Sequence, residues 1–371
     1  MELKRFEDIT IDRPLAVHEQ IRKQVRDLIV SSEFPENSRL PSTQELAKMW
    51  GTHPSVVHTA LTPLAKEGWL KRVPRVGTFV TRPERRLTRI GLYVRSESMM
   101  GGAYAFQGAL LSELKQLLRE QDIELSIWTD PRPLDEQHKP WEALRKGMLS
   151  RKIQAMIVTA VDWPHLNWLL QLPVPSAFLS SGNIPSRVVH DQPQFANLAL
   201  DALAGKGCRS AGLIATACPS FNNPDGSTHF MTLFYQHFVE KAAELGLDIR
   251  DEWIRCSQKD INPISEHEKF GYDHFRELWT SPAGRPDGLI VWPDTVVKGV
   301  MLGLKEHGVR APDELRLVFH RNRGVPLHCP MPASFVESDE RKIAEALLRQ
   351  IRRQIDGRAP EPISVPYAVA S

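Results

Sequence analysis

Residues 39–80 read RLPSTQELAKMWGTHPSVVHTALTPLAKEGWLKRVPRVGTFV, and this stretch decides the fold of the N-terminal part of the chain. It opens with Ser42 followed three positions later by Glu45, which is the spacing of a capping box. A capping box predicts the start of a helix, and the apolar residues after it carry that helix to about Trp50. Gly51 then ends the helix, because glycine readily adopts the backbone conformation of a helix C-terminus.

The rest of the stretch predicts a second helix and a hairpin. Pro54 suits a helix start, and Gly68 ends the apolar stripe that follows it. An amphipathic helix is predicted before the stretch, at residues 14–32. Two short strand-like runs, at residues 69–73 and 77–81, complete the region. This order is that of an α+β winged helix-turn-helix. In such a domain the third helix fits the major groove and the hairpin lies along the phosphate backbone.

Charge is distributed unevenly along the sequence. The 371 residues carry a formal net charge of only +2, but residues 1–86 contain 15 Lys and Arg against 11 Asp and Glu. The excess is concentrated between Lys66 and Arg89, where eight basic residues stand against two acidic ones. A local basic patch is typical of a protein that binds a polyanion, and a solvated surface is the alternative interpretation.

The residues resemble the GntR (gluconate-repressor) family of bacterial regulators over roughly residues 14–81. The resemblance is carried by Arg39-Leu40-Pro41-Ser42, Glu45-Leu46-Ala47, Ala60-Leu61, Leu64, Glu67-Gly68 and Gly77-Thr78-Phe79-Val80. It implies that matched residues lie near phosphates, in the groove or in the wing: Arg39, Ser42, Thr43, His53, Ser55, His58, Thr59, Arg72, Arg75, Gly77 and Thr78. A purely structural role is the alternative for Ser42, as a helix cap, and for Gly77, in the turn.

The second helix of this region departs from the family pattern. Its start usually reads like Ser-Arg-Thr-Thr-Val-Arg-Arg, and the arginine positions here hold Pro54, His58 and Thr59. Pro63 lies inside the helix, where it removes a backbone hydrogen bond and is expected to cause a kink. We therefore expect either a different readout, through Ser55, His58, Thr59 and the wing, or a low affinity for DNA.

A polar linker is predicted at residues 82–89, and after it short apolar strands alternate with helices. This alternation predicts parallel sheets covered by helices on both faces, and about 280 residues of it favour two lobes. The predicted strands are 90–94, 123–129, 154–160, 175–180, 211–216, 287–292, 315–319 and 363–367. The predicted helices are 104–121, 135–150, 192–206, 227–245, 264–280, 295–307 and 337–356.

The C-terminal part resembles the lactose-repressor type of effector domain, itself similar to periplasmic sugar-binding proteins. The ordered features that carry this resemblance are Ile90-Gly91-Leu92, Asp191, Gly207-Cys208-Arg209, Gly246, Pro286-Asp287-Gly288, Trp292-Pro293-Asp294 and Gly308-Val309-Arg310-Ala311-Pro312. The resemblance implies a multidomain chain: a winged helix-turn-helix at residues 1–81, the linker, and a two-lobed, type I periplasmic-binding-protein-like α/β domain at residues 90–371. That second domain is expected to bind an effector and to dimerise.

Ligands of such domains lie between the lobes, at the carboxyl ends of parallel strands. The candidate effector contacts are therefore Ser96, Tyr104, Thr129, Ser180, Asp191, Asp294, His320 and Arg321. Asp294 is the first candidate, and a helix cap is its alternative role. Sugar-binding members of the family often carry an arginine at the position of Phe234, whereas additional arginines follow the strand at 315–319. The predicted effector is a sugar or sugar derivative, with an anionic compound as an alternative.

Several classes of protein are not supported by the sequence. It contains neither a long apolar run nor an apolar signal core, so we expect a cytoplasmic protein without a membrane partner. The four cysteines form no CxxC pair, and the motifs HExxH, GxSxG and GxxxxGK[ST] are absent. We therefore predict no metal, no cofactor, no catalytic residue and no enzymatic activity; only the fold class supports an enzyme, and fold does not imply function.

The resulting prediction is a transcription regulator whose partners are double-stranded DNA, a small effector and a second copy in a homodimer. The alternative is a small-molecule (sugar-type) binding protein with a degenerate DNA-binding domain. The residues alone leave open the effector, the operator sequence and the choice between repression and activation.

Overall fold

The computed structural model describes residues 16–30, 34–81, 87–95, 103–149, 152–159, 166–216, 230–257, 261 and 266–370. The chain divides into two compact units, Met1–Arg86 and Leu87–Ser371. No helix within the described ranges is long and apolar enough to cross a membrane. The linker at residues 82–89 falls largely outside the described residues, so its bounds stay a prediction.

The described part of the first unit, residues 16–30 and 34–81, contains three helices and a small antiparallel sheet. Its elements are α1 (Val17–Val30), β1 (Arg39–Leu40), α2 (Thr43–Met49), α3 (Pro54–Lys66), β2 (Leu70–Val73) and β3 (Gly77–Val80). Strand β3 is central and pairs with both β1 and β2. This is the predicted winged helix-turn-helix, with α3 in the place of the groove-binding helix.

One apolar cluster holds the first unit together. It includes Ile21, Leu46, Trp50, Leu64 and Trp69, which come from the three helices, the residue after α2 and the start of the hairpin. Full burial of an aliphatic side chain of this size contributes about 1.5–3 kcal/mol. On α3 the buried residues are spaced three or four apart, so one face packs inward and the opposite face is left to solvent.

The second unit is an α/β structure with eight helices among its described residues. The helices are α4 (Ala103–Arg119), α5 (Glu142–Leu149), α6 (Leu166–Leu169), α7 (Gln192–Ala204), α8 (Phe230–Glu244), α9 (Glu266–Thr280), α10 (Asp294–Glu306) and α11 (Glu340–Ile355). The strands are β4 (Arg89–Arg95), β5 (Glu124–Asp130), β6 (Ala155–Val158), β7 (Ser176–Leu179), β8 (Arg187–His190), β9 (Ala211–Ala215), β10 (Ile254–Cys256), β11 (Gly288–Trp292), β12 (Arg316–Asn322), β13 (Ser334–Ser338), β14 (Ile363–Val365) and β15 (Ala368–Val369).

The first lobe is built on a parallel sheet with the order β14-β8-β7-β6-β4-β5. Successive side chains of β4 pack on opposite faces, as the two-residue period of a strand requires. Leu92 packs with α4 and α11, whereas Tyr93 packs with α5 and α6. Both faces are therefore covered by helices, as the alternating pattern of the sequence predicts.

The second lobe is built on a sheet with the order β10-β9-β11-β12-β13-β15, in which only β15 is antiparallel to its neighbour. Helices α7 and α8 cover one face, and α9 and α10 cover the other. Helices α9 and α10 approach closely at two glycines. A Cβ atom on Gly299 would lie 1.8 Å from the carbonyl oxygen of Glu268, and one on Gly271 would lie 2.3 Å from that of Val296.

The chain crosses between the lobes three times: from β8 to α7, from β13 to α11 and from β14 to β15. Each crossing leaves from the carboxyl end of a parallel strand. The carboxyl edges of both sheets therefore face the junction between the lobes. The first and third of these crossings are tied together, because Asp191 donates its amide to the Val365 carbonyl at 2.9 Å and Gln194 Oε1 accepts from the Tyr367 amide at 2.7 Å.

The predicted fold class is confirmed, but several predicted elements are incomplete. Strands β8, β10, β13 and β15 and helix α6 were not predicted. The helix predicted at 337–356 begins only at Glu340, because residues 334–338 form β13. The helix predicted at 135–150 is a short 3₁₀ turn, Leu134–Glu136, followed by α5.

Candidate functional site

The outer face of α3 is exposed and polar. His53, Ser55, His58 and Thr59, all predicted to face the groove, are solvent-exposed, whereas Val57 between them is fully buried. The structure therefore brings these four predicted residues onto one surface of the first unit.

The start of α3 is capped by its own side chains. His53 Nδ1 accepts from the Ser55 amide at 3.3 Å and lies 2.8 Å from Ser55 Oγ. One turn later, the Thr59 hydroxyl donates to the Ser55 carbonyl at 2.9 Å. His53 and Ser55 thus have a structural role at the helix N-terminus, and their exposed edges remain available for a ligand.

The wing is joined to α3 by an arginine. Arg72 on β2 extends its guanidinium over the helix: Nη1 lies 3.3 Å from His58 Nε2, and Nη2 donates to Thr62 Oγ1 at 3.2 Å. The Thr62 hydroxyl in turn donates to the His58 carbonyl at 2.6 Å. Arg72 therefore belongs to the same surface as the helix residues.

Gly77 of the wing is favoured by its backbone conformation. Its φ is +144°, and a Cβ atom there would lie 2.8 Å from Arg39 Nε. Arg39, which pairs with Phe79 on the central strand, therefore extends its side chain to the start of that strand. Arg75, with φ +65°, forms the exposed tip of the turn between β2 and β3.

The capping box predicted at α2 is present. Ser42 Oγ accepts from the Glu45 amide at 3.2 Å, and Glu45 Oε2 accepts from the Ser42 amide at 2.7 Å. These hydrogen bonds, first that from the Ser42 amide, lower the pKa of Glu45. Ser42 therefore caps α2. Thr43 is the first residue of that helix, which follows β1, the strand that carries Arg39.

Pro63 does not end α3, which continues to Lys66. Proline has no amide hydrogen to donate to the preceding turn. The helix resumes its hydrogen bonding afterwards, with the Glu67 amide donating to the Pro63 carbonyl at 2.8 Å.

Polar side chains gather at the carboxyl edge of the second lobe. The Asp294 amide donates to His320 Nδ1 at 3.0 Å, and Ser338 Oγ donates to Asn322 Oδ1 at 2.5 Å. Burial raises the pKa of Asp294, while a hydrogen bond with the Asn322 side chain and one from the Thr295 amide oppose this shift. Strands β12 and β13 and the start of α10 thus supply one polar cluster, which includes the predicted residues Asp294 and His320.

An aromatic cluster borders these polar groups and spans the crossings between the lobes. Tyr367 stacks on His190 with centroids 5.5 Å apart, and it also contacts His320 at 5.7 Å and Phe195 at 5.2 Å. Burial lowers the pKa of His320 to about 3; burial and the neighbouring His320 together lower that of His190 to about 4. Both imidazoles are therefore uncharged near neutral pH.

The first lobe holds a neutralised ion pair at its own carboxyl edge. Asp130 is fully buried, accepts from Tyr93 Oη at 2.6 Å, and is gripped by Arg132 at 2.7 and 2.9 Å. Burial opposes ionisation of Asp130, but the hydrogen bonds from Arg132 and Tyr93 outweigh it and lower its pKa. Nearby, buried Thr159 donates to buried Gln107 at 3.0 Å.

Other predicted effector residues are placed differently. Arg321 points to the opposite face of the sheet from His320, where it pairs with Glu337 at 2.5 Å and borders a surface cavity of about 450 Å³. Asp191 caps α7 by accepting from the Gln194 amide at 3.0 Å. Ser180 Oγ accepts from the Gly182 amide at 3.1 Å within a turn.

The remaining predicted positions lie on an edge strand, in the core or outside the described residues. Thr129 is exposed on β5, the edge strand of the first lobe. Phe234, at the position compared with a family arginine, is buried in the core of the second lobe against Phe195. Ser96 and the side chain of Tyr104 lie outside the described residues.

Five residues of the polar and aromatic clusters were not predicted as site residues: His190, Phe195, Asn322, Ser338 and Tyr367. Asn322 lies two positions beyond His320, and the two-residue period of a strand could have placed it on the same face. Ser338 ends β13 and Tyr367 follows β14, and they could be placed only after the pairing of those strands was known. Within the described residues, no group of three or more potential metal ligands is present.

Comparison with known protein families identifies both parts of the chain. Residues 17–80 match the model of bacterial regulatory proteins of the gntR family, and residues 200–370 match that of the periplasmic binding protein-like domain. The chain therefore carries a gntR-type DNA-binding region followed by a periplasmic-binding-protein-like region, as both resemblances implied.

Two curated relatives illustrate the match. The chain is 22% identical over 318 residues to an arabinose metabolism transcriptional repressor of Geobacillus stearothermophilus, covering 83% of this chain and 82% of that protein. It is 33% identical over 92 residues to the HTH-type transcriptional repressor NagR of Bacillus subtilis, covering 25% of this chain and 38% of that protein. These relatives are transcription regulators and not enzymes.

Solved structures show the same fold. A LacI family transcription regulator from Clostridium acetobutylicum superposes with a TM-score of 0.58 at 20% identity, covering 76% of this chain and 99% of that chain. A complex of the transcriptional regulator CelR with cellobiose gives a TM-score of 0.59 at 14% identity, covering 90% of this chain and 99% of that chain.

Proposed function

We propose that this chain, in which a gntR-type region precedes a periplasmic-binding-protein-like region, is a cytoplasmic transcriptional repressor whose affinity for its operator is controlled by a small sugar-like effector. The observation that carries the proposal is the exposed polar face of α3 beside a wing bearing Arg39, Arg72 and Arg75. A helix of this kind fits the major groove, and the basic wing suits the phosphate backbone.

The second lobe supports an uncharged polyhydroxyl effector. Its carboxyl edge offers Asp294, Asn322 and neutral His320, which are groups that hydrogen-bond hydroxyls without requiring a charge on the ligand. Aromatic side chains beside them suit the apolar face of a sugar ring. Arg321 is paired with Glu337 on the far face of the sheet, which argues against an anionic effector held by that residue. Because one of the relatives is an arabinose metabolism transcriptional repressor, pentoses are the first compounds to test.

We propose that the effector acts by closing the two lobes around the three crossings. In a homodimer, closure would move the chain segments at residues 82–89 that lead to the two DNA-binding units. A dimer reads two half-sites whose spacing is fixed by the helical repeat of DNA, so a small displacement changes affinity. The same chain would then carry sensor and output without an enzymatic step.

A thermal-shift screen of the purified full chain against pentoses, hexoses and sugar acids tests the effector. A ligand at about 100 times its Kd should stabilise the second unit by about 2.7 kcal/mol. Selection from a random-sequence duplex pool then tests DNA binding. The proposal predicts enrichment of one sequence, and a chain that retains no duplex at low salt contradicts it.

A small-molecule sensor with a degenerate DNA-binding unit is the second candidate. It is favoured by the absence of Lys and Arg from α3 before Lys66. The salt dependence of binding to a non-specific duplex separates the two candidates. A DNA-binding protein releases counterions when its cations contact phosphates, so its affinity falls steeply with salt, whereas a degenerate unit would show no such slope.

A further inference from the structure

The groove-facing helix lacks a cation of its own over most of its length. From Pro54 to Ala65, α3 contains no Lys or Arg. The exposed side chains of this stretch are Ser55, His58 and Thr59, and the N-cap His53 precedes it. The guanidinium that lies on this surface comes from the neighbouring strand: Arg72 contacts His58 and Thr62, which are one helical turn apart.

The hydrogen bonds around Arg72 determine the roles of all three residues. A guanidinium only donates, so His58 Nε2 must accept and its proton must reside on Nδ1. The Thr62 hydroxyl has one hydrogen, which it donates to the His58 carbonyl at 2.6 Å, so its oxygen is left to accept from Arg72 Nη2. The protonated Nδ1 atom of His58 lies 3.5 Å from Thr62 Oγ1, which is an oxygen and can face a proton. Each donor in this group therefore faces an acceptor.

We propose that Arg72 reads a guanine in the major groove, and that His58 and Thr62 are positioning residues that hold its guanidinium at the surface of α3. This inference rests on the proposed function as a DNA-binding regulator. Arginine has five N–H donors, and two of those on Arg72 are used by the helix. Three remain, which is enough for a bidentate contact with O6 and N7 of guanine, the commonest specific contact of arginine with DNA.

The position of Arg72 favours a base over a phosphate. Phosphate contacts of a wing need only a cation that points away from the sheet, and an exposed lysine such as its neighbour Lys71 meets that need. Arg72 instead turns toward α3, and two helix side chains fix the plane of its guanidinium. A fixed plane contributes little to a contact with a single charge, but it determines the geometry of bidentate recognition.

The test begins with a duplex selected by the wild-type full chain from a random pool, followed by binding to all single-base variants of that duplex. Arg72→Lys keeps the charge and loses the planar fork. It should lower affinity for the selected duplex about ten- to a hundredfold, abolish the preference for one G·C pair in each half-site, and change non-specific binding by about twofold or less. Thr62→Val should weaken the same preference by about three- to tenfold, and Thr62→Ser, which keeps the hydroxyl, should restore it.

Two controls separate recognition from folding and from charge. Thr280→Val in the second unit removes a matched hydroxyl that donates to the carbonyl four residues earlier, at 2.8 Å, and should leave DNA binding unchanged. Lys71→Ala removes a neighbouring cation and should weaken all duplexes equally. Thermal melting of each variant shows whether the first unit is folded.

The outcomes are distinguishable. If Arg72→Lys retains the wild-type base preferences, or if Arg72→Ala weakens every duplex equally and lowers the salt slope by about one, Arg72 contacts phosphate and the inference is wrong. If Thr62→Val melts earlier but keeps every base preference, Thr62 is only structural and its positioning role is wrong. If the wild-type chain selects no sequence at all, the proposed function itself fails, before Arg72 is tested.

Discussion

The face of α3 and the carboxyl edge of the second lobe are both candidate binding surfaces, but they are built in opposite ways. The first consists of side chains from one short helix and the adjacent hairpin, and these are exposed and hydrogen-bonded mainly to near neighbours. The second gathers Asp294 from the start of α10, His320 and Asn322 from β12, and Ser338 from β13. Its histidine is almost completely buried.

The two surfaces should respond differently to amino-acid substitutions. Exposed groups are already solvated, so removing one costs little stability and acts directly on the contact with the ligand. Buried polar groups depend on one another, and removing one leaves its partner without a hydrogen bond. Substitutions on α3 should therefore separate binding from stability, whereas those on the cleft edge should change both together.

The largest expected effects come from the two cores. Leu64 in the first unit and Leu304 in the second are both fully buried. Changing either to Ala should cost about 2–5 kcal/mol, because a cavity is left behind. Differential scanning calorimetry should show Leu64→Ala lowering only the transition of the first unit and Leu304→Ala only that of the second. One transition shifted equally by both would contradict two separately stable units.

Asp294→Asn should abolish most of the effector response. The change keeps the shape but replaces one carboxylate oxygen, an acceptor, with an amide group that donates, so binding of the effector should weaken by about 1.5–3 kcal/mol, or roughly ten- to a hundredfold. Isothermal titration calorimetry measures this loss. Asp251→Asn, on an exposed 3₁₀ turn of the same unit, is the control. Unchanged affinity in Asp294→Asn would remove this residue from the cleft.

The second unit should lose stability in acid through its buried histidines. His320 has a pKa lowered to about 3 in the fold, against an ordinary value of 6.5, and therefore binds its proton more readily when unfolded. Its contribution to stability is fully present above about pH 6.5 and is lost as the pH falls toward 3. His320→Asn keeps an acceptor for the Asp294 amide and should reduce the slope of stability against pH by about 1.4 kcal/mol per pH unit. Denaturant unfolding between pH 4 and 6 measures this slope, and His190 remains in the variant as a second buried histidine with a lowered pKa. An unchanged slope would show that His320 is not buried in its neutral form.

The smallest effects should come from two helix caps. Ser42 caps α2 in the first unit, and Asp339 caps α11 in the second by accepting from the Arg341 and Lys342 amides. Each change to Ala should cost about 1 kcal/mol in its own unit. If Ser42→Ala weakens DNA binding by more than its loss of stability explains, Ser42 contacts phosphate as well.

The same contrast explains what could be predicted from the sequence. The capping box at Ser42, the proline start of α3 and the wing glycine are local signals, so the first unit and its exposed face were predicted almost residue by residue. The hydrogen bond between Arg72 and Thr62 was not predicted, because secondary-structure propensity does not say where a long side chain lies.

Long-range pairing limited the prediction for the second unit. Short strands such as β8, β13 and β15 carry little pattern of their own and are strands because of their neighbours in the sheet. His320 and Arg321 were predicted together because both follow the strand predicted at 315–319, whereas β12 in fact continues to Asn322. They lie on opposite faces, because successive side chains of a strand alternate.

If the two units form one switch, as we propose, a thermodynamic cycle will show the coupling between them. The affinity of the full chain for its selected duplex is measured with and without saturating effector, and the affinity for the effector is measured with and without that duplex. Coupled units should change both affinities by the same factor, about 5- to 150-fold. An effector that binds the second unit tightly but leaves DNA affinity unchanged would contradict it.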